Sequence, residues 1–314
     1  MLSVTFLGTS AARPTVERGV ASIAVQREGE TFLFDCGEGT QRQMMRYGVS
    51  FALSDIFVTH YHADHFLGIL GLLRTLGLQG REEPFKLYGP QGAARVLGHA
   101  VELGVERSPF PIEIEEVTPG DRFERGDYVL EVFTVAHGRN AVGYAVREHQ
   151  RLGRFDPDKA RALGIPEGPQ WGKIHRGEPV EVGDGNDKRI VDPNELVGAP
   201  RSGRLLVYTG DTRPSEDVVR VADGADLLIH DATFEHEEKA RARDTDHSTA
   251  VEAAQVALAA GVRKLALTHL SARYSASPRI LLEEAQTVFH ETVVARDGMT
   301  IEMPFFDQEA DGAP

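Results

Sequence analysis

The chain has 314 residues, 41% hydrophobic and 26% charged, a globular balance that excludes an intrinsically disordered chain. Its net charge of −14 argues against a plain nucleic-acid coat, because duplex binding is driven by neutralising phosphates. The longest apolar runs, such as Leu205–Tyr208, are strand-sized and far from the ~18 residues of a membrane span. The single cysteine, Cys36, excludes an intramolecular disulfide and any zinc site built on two thiolates, and it points to the cytoplasm.

The opening residues read as a first strand, Val4–Leu7, rather than as a signal peptide. Strands at Ala21–Gln26 and Thr31–Phe34 follow, joined by a hairpin connection at 27–30. Gly37–Tyr47 has helical character, and Asp55–Thr59 is a strand that runs into His60. Leu67–Leu76 has apolar residues at helical spacing, Lys86–Tyr88 is a short strand, and Gln91–Leu103 is a helix. Further strands are expected at Ile112–Val117, Tyr128–Val135 and Val142–Arg147, then at Leu205–Thr209, Asp226–Ile229 and Lys264–Thr268. Between the last two, Ser248–Ala260 reads as a helix with Ser248 or Thr249 as its cap and Gly261 as its end. The pattern is that of an α/β protein whose two halves each supply a sheet, in a single domain over 1–314.

Residues 148–200 break this pattern with many Gly and Pro and the only tryptophan, Trp171. A structureless stretch of that length is usually functional or disordered. Arg147–Arg176 holds seven basic residues, among them Arg154, Lys159, Arg161, Lys173 and Arg176, against four acidic ones. Positive charge is therefore segregated into a protruding, flexible inserted arm, placed at 148–176, on an acidic body. The tail 307–314 is expected to be disordered.

The strongest chemical signal is Thr59-His60-Tyr61-His62-Ala63-Asp64-His65, directly after a strand. Imidazoles and carboxylates are the ligands zinc takes when thiolates are absent. A turn at the mouth of a strand can fan them toward two nearby points, and the apolar residues that follow suggest a helix anchoring it. His137, Asp211 and His269 each follow a predicted strand, at the carboxyl ends where open α/β sheets place their sites. Singly, each is more often structural. Together with the first cluster they make seven ligands, enough for two ions sharing one bridging carboxylate.

The H-x-H-x-D-H run, the later His, Gly210-Asp211-Thr212 and Thr268-His269 resemble the metallo-β-lactamase superfamily. More narrowly, the chain resembles the short form of the ribonuclease Z family, endonucleases of tRNA 3′ processing. Phe6-Leu7-Gly8-Thr9-Ser10, Asp35-Cys36-Gly37-Glu38-Gly39-Thr40-Gln41-Arg42-Gln43 and the arm's 163–173 carry that match. So do His230-Asp231-Ala232-Thr233-Phe234, His247-Ser248-Thr249 and Thr268–Tyr274, and the similarity runs from Ser3 to about Pro304. Two positions depart from the family: it often has Glu at Asp231 and Arg-Asn at Arg18-Gly19.

The resemblance implies a four-layer αββα sandwich and two zinc ions. His60, His62 and His137 would bind one, Asp64, His65 and His269 the other, with Asp211 bridging. It further implies that Asp64 orients a nucleophilic water and relays its proton. His247, oriented by Asp231, would protonate the leaving 3′-oxygen. Arg273 and Tyr274 would hold a substrate phosphate, and the basic arm would grip precursor tRNA across a homodimer interface. Two rivals remain on sequence grounds: another hydrolase of the superfamily (a general phosphodiesterase, a thioesterase, an arylsulfatase or a β-lactamase), and a silent RNA-binding protein with structural zinc. Structural sites are normally closed by four protein ligands, so seven ligands for two ions favour catalysis.

Overall fold

The computed structural model of the protein describes residues 1–103, 107–183 and 188–306. The predicted tail lies outside them. The described residues divide into two compact units, Met1–Arg147 with Arg204–Pro304, and Glu148–Gly203 with Phe305 and Phe306.

In chain order the elements of the first unit begin with β1 (Leu2–Gly8), β2 (Ser22–Arg27), β3 (Glu30–Phe34), α1 (Thr40–Tyr47) and β4 (Asp55–Phe57). There follow α2 (Ala63–Phe66), α3 (Gly68–Leu78), β5 (Phe85–Pro90), α4 (Ala93–Glu102) and β6 (Ile112–Val117). A meander of β7 (Arg122–Arg125), β8 (Tyr128–Thr134) and β9 (Val142–Glu148) leads into the second unit. That unit holds α5 (Pro157–Ala162), α6 (Pro169–His175), β10 (Val180–Val182) and β11 (Arg189–Val191). The chain then returns through β12 (Leu205–Tyr208), α7 (Glu216–Val221), β13 (Leu227–Asp231), α8 (Lys239–Asp244) and α9 (Ala250–Ala259). It closes with β14 (Leu265–Thr268), α10 (Arg279–Gln286), β15 (Thr292–Val294) and β16 (Thr300–Met303).

Two seven-stranded sheets result, ordered β16-β1-β2-β3-β4-β5-β6 and β15-β14-β13-β12-β9-β8-β7. Side chains alternate across a strand, and here both faces are apolar. Leu2, Val4 and Phe6 of β1 and Phe32 and Phe34 of β3 meet Tyr128, Leu130, Tyr144, Tyr208 and Ile229 of the opposite sheet in one core. Leu7, Ala24 and Leu33 turn outward against α1, α3 and α4. On the other flank Ala145, Val207 and Leu228 pack on α7, α9 and α10. This is the expected αββα sandwich. Each large side chain fully buried in it is worth about 1.5–3 kcal/mol relative to exposure.

The division into two halves holds only in outline. β16, from the end of the chain, pairs with β1, whereas β7–β9 of the first half join the second sheet. Six elements of the first unit, β7, α7, α8, α10, β15 and β16, lie outside the elements expected from sequence pattern. The described residues of 148–203 form a folded unit. Ala160, Ile165, Ile174, Val180, Val182, Val191 and Leu196 form its own core, and Pro and Gly mark the starts and ends of its short helices. Its charge is also more local than the first half of the segment suggests: from Gly177 to Gly203 it carries six carboxylates against three basic residues. Only the portion containing α5 and α6 is net positive.

The turn carrying the histidine cluster is pinned by a close backbone approach. Cys36 N donates to His65 O at 2.7 Å, and Gly68 N to Cys36 O at 2.9 Å. A Cβ at Gly68 would stand 1.9 Å from the Gly37 carbonyl oxygen. Gly68→Ala must push α3 off the end of β3, and we expect a loss of about 1–3 kcal/mol, read as a lower urea midpoint with an unchanged slope.

Candidate metal centre

The site is assembled at the carboxyl ends of β3, β4, β8, β12, β13 and β14. β4 ends two residues before Thr59 and His60, so the H-x-H-x-D-H run forms the turn into α2. Asp64 and His65 lie inside that single helical turn. The other ligand candidates come from the loops after β8, β12 and β14, namely His137, Asp211 and His269.

The seven side chains fall into two sets. Ligand atoms of His60, His62, His137 and Asp211 lie within 4.8 Å of one another, as do those of Asp64, His65 and His269. In the first set, His62 Nδ1 stands 3.0 Å from His60 Nε2 and 3.2 Å from His137 Nε2. In the second, His269 Nε2 stands 3.3 Å from both His65 Nε2 and Asp64 Oδ2. Asp211 faces both. Its Oδ2 is 3.5 Å from His60 Nε2 and 3.8 Å from His137 Nε2, while Oδ1 is 3.3 Å from His65 Nε2 and from His269 Nε2.

Hydrogen bonding on the far side of four of the five rings explains the fit to a cation. His137 Nδ1 donates to the Asp246 carbonyl at 2.8 Å, and His65 Nδ1 pairs with Asp35 Oδ2 at 2.8 Å. His60 Nδ1 meets Thr59 Oγ1 and His269 Nδ1 meets Thr233 Oγ1, each at 3.0 Å. Both hydroxyls have carboxylates to donate to, Asp35 and Asp231, so they accept from the rings. A neutral ring whose Nδ1 carries the proton presents Nε2 as a bare lone pair. Such pairs then face one another across 3.0–3.3 Å, and a His62 Nδ1–H could donate to one of them at most. Asp211 Oδ1 is buried without a hydrogen bond. Lone pairs crowded on a buried carboxylate call for a positive ion, and N/O donor sets of this kind suit zinc.

Electrostatics agree. Burial, reinforced by His65, holds His60 well below the ordinary imidazole range, and burial with His137 lowers His62. Burial works against the charge on Asp211, but His269, His65 and His60 outweigh it and keep it well below the usual carboxylate range. Burial likewise opposes the charge of His65, yet Asp211 and Asp35 raise it well above the usual value.

His247 occupies a different position. Its Nδ1 donates to Asp231 Oδ2 at 2.7 Å. The Asp231 carboxylate also accepts from Thr212 N, Thr233 N and Thr233 Oγ1, so it is saturated as an acceptor and serves as an orienting group. The shorter carboxylate at this position still reaches the ring. Burial disfavours a charged His247, but Asp231 overrides it and the imidazole is pushed up to about 9. A cavity of about 730 Å³ lies against these groups, lined by His62, Asp64, Asp211, His247 and His269 and rimmed by Arg13, Arg241 and Arg273.

Other expected site residues are placed less simply. Arg273 lines the cavity and is ion-paired with Glu238. Tyr274 does not line it: the ring is 7% exposed and its hydroxyl donates to Glu238 Oε2 at 2.6 Å. Tyr274, expected at a substrate phosphate, holds Glu238 in this structure. In the second unit Arg161 pairs with Glu167 and Asp158, and Arg176 with Glu178. Arg154, Lys159 and Lys173 are exposed. At the other departure from the family pattern, Gly19 N donates to Asp297 Oδ2 at 2.6 Å and the Gln43 side-chain amide donates to the same oxygen at 2.6 Å.

Sequence reasoning missed the groups that orient the ligands. Asp35 is fully buried and accepts from Thr59 N, Tyr208 Oη and His65 Nδ1, each at 2.8 Å. The only advance sign was an Asp directly after a strand. Asp246, at φ 57°, works through a backbone carbonyl, which leaves no side-chain signature.

A family model described as anti-Pycsar protein Apyc1 matches residues 2–151. The ribonuclease Z of Gemmatimonas aurantiaca is 58% identical over 312 residues, 99% of this chain and 98% of its own. That of Myxococcus xanthus is 53% identical over 98% of this chain and 99% of its own. The crystal structure of human tRNase Z, short form, superposes with a TM-score of 0.70 at 28% identity, covering 96% of this chain and 100% of the human one. The metallo-β-lactamase fold protein YhfI of Bacillus subtilis shares the fold at a TM-score of 0.68 and 20% identity, over 96% and 100% of the two chains.

Asp35→Asn removes the charge that fixes the His65 ring while keeping its size. We expect divalent-metal affinity to fall about 10–100-fold, measured by competition against a chromogenic chelator, with the circular dichroism spectrum unchanged.

Proposed function

The chain belongs to the ribonuclease Z family, and we propose that it is a two-zinc endoribonuclease that cuts the 3′ trailer from precursor tRNA after the discriminator base. The products are a tRNA 3′-hydroxyl and a trailer 5′-phosphate. The observation that carries the two-ion reading is the placement of Asp211, one oxygen toward each set of imidazoles. His60, His62 and His137 would hold one ion and Asp64, His65 and His269 the other. Zinc in these positions supplies Lewis-acid stabilisation of the phosphoryl charge and a water that ionises near neutral pH.

The protein's own groups do the rest. Asp64 is held by the Ala12 backbone N–H at 2.7 Å, which aims its carboxylate to orient the attacking water and relay its proton. His247 has Nδ1 committed to Asp231, leaving Nε2 to deliver a proton to the departing 3′-oxygen. A ribose alkoxide is a poor leaving group, so that proton carries much of the rate. Arg273 on the cavity rim contacts a substrate phosphate. The α5–α6 portion of the second unit, with Arg154, Lys159, Arg161, Lys173 and Arg176, grips the folded RNA by shape and phosphate contacts. By the family resemblance it serves the active site of a partner subunit in a homodimer. No helix among the described residues is long and apolar enough to cross a membrane, and the lone buried thiol supports a cytoplasmic setting.

A tRNA with a short 3′ extension should be cut at one position, and a chelator should abolish the cut; cleavage scattered along the trailer, or persisting without metal, would refute the reading. His247→Ala should lower kcat on precursor tRNA by about 100-fold with metal content unchanged. The pair Lys159→Glu and Lys173→Glu should raise KM for precursor tRNA by about tenfold or more through lost phosphate contacts, while turnover of bis(p-nitrophenyl) phosphate stays at the wild-type level.

A further inference from the structure

Arg213 stands two residues beyond Asp211, and its side chain turns away from the metal ligands toward the segment that carries His247. Nη1 donates to the His247 carbonyl at 2.8 Å and to Glu252 Oε2 at 3.1 Å; Nη2 donates to Glu252 Oε1 at 3.0 Å. The guanidinium is 19% exposed. Glu252 in turn accepts from Thr249 N at 3.0 Å and closes the capping box that starts α9. The fork thus ties three things together: the loop of Asp211, the main chain of His247 and the first turn of a buried helix.

Neighbouring bonds fix the flanks of the same segment. The Asp246 carbonyl takes His137 Nδ1 at 2.8 Å, and Ser248 Oγ donates to the Thr212 carbonyl at 2.6 Å. Arg213 N donates to the Ala136 carbonyl at 2.9 Å, which anchors the Arg itself beside His137. Asp231 sets the rotation of the His247 ring but says nothing about where its main chain stands. A displacement of about 1 Å in a reacting group can cost two orders of magnitude in rate. A planar, always-charged fork grips a carboxylate through two parallel bonds and a carbonyl at once, a bidentate geometry that the point charge of lysine reproduces only in part.

We infer that Arg213 is a positioning residue for the proton donor: its guanidinium holds the His247 main chain so that the imidazole reaches the leaving oxygen. The inference rests on His247 being that donor, and the experiment separates the two. Arg213→Met, Arg213→Lys, His247→Ala and the Arg213→Met/His247→Ala double variant are compared on precursor tRNA and on bis(p-nitrophenyl) phosphate. A p-nitrophenolate departs without a proton, so only the RNA substrate reports on the donor. Arg213→Met should lower kcat on precursor tRNA by about tenfold or more with KM within about twofold, while the aryl ester and metal content stay near wild type; the melting temperature falls because Glu252 loses its partner, and rates are read well below it. The lysine variant should recover part of the loss. In the His247→Ala background, Arg213→Met should cost nothing further, as expected when one residue acts through another.

Equal losses on both substrates, or a full additional loss in the double variant, would overturn the inference and leave Arg213 as a structural cap of α9. If His247→Ala itself lost both substrates equally, the proton-donor reading would fall and this inference with it. That pattern differs from a selective His247→Ala beside an unselective Arg213→Met.

Discussion

One buried carboxylate organises this protein's active centre. Asp211 sits at the end of β12 with each oxygen aimed at a separate group of imidazole nitrogens. In a dry interior such a charge is tolerable only with cations beside it. The surrounding rings cannot satisfy it as neutral donors, because their protons are drawn to the opposite side by Asp35, Asp246, Thr59 and Thr233. Bound cations are what this arrangement of lone pairs calls for.

That orienting layer is built from the core outward. Phe34 stacks on Tyr144 and Tyr208 between the sheets, with ring centroids 5.4 and 5.6 Å apart. Tyr208 then donates to Asp35, and Asp35 to His65 is a single further bond. Packing between the sheets therefore sets the angle of a ligand ring. On the opposite side, the Asp231 and Arg213 bonds hold His247 from its ring and from its main chain. Precision of this kind comes from rotamers locked by neighbours, not from the ligands themselves.

The acidic body and the RNA substrate are reconciled locally. Exposed cations stand on the cavity rim and around α5 and α6, against a chain that is acidic as a whole. Arg161 and Arg176 show the limit of counting charges along a chain: each has an acidic partner within hydrogen-bonding reach. Sequence arithmetic over Arg147–Arg176 saw seven cations, but not which of them were neutralised.

What the sequence alone determined is the chemistry of the ligands and the periodic elements that carry them. A cluster such as His60-Tyr61-His62-Ala63-Asp64-His65 at a strand end is local, and so are the hairpin before Glu30 and the capped start of α9. The αββα layering followed from resemblance to a family. Only the tertiary structure decided how Asp211 divides its oxygens and why Tyr274 is turned from the cavity. It alone revealed Asp35, the Asp246 carbonyl and Arg213 as supports. Those contacts join residues 30 to 173 positions apart, and several run through main-chain atoms identical in every residue. Neither leaves a mark on a one-dimensional pattern.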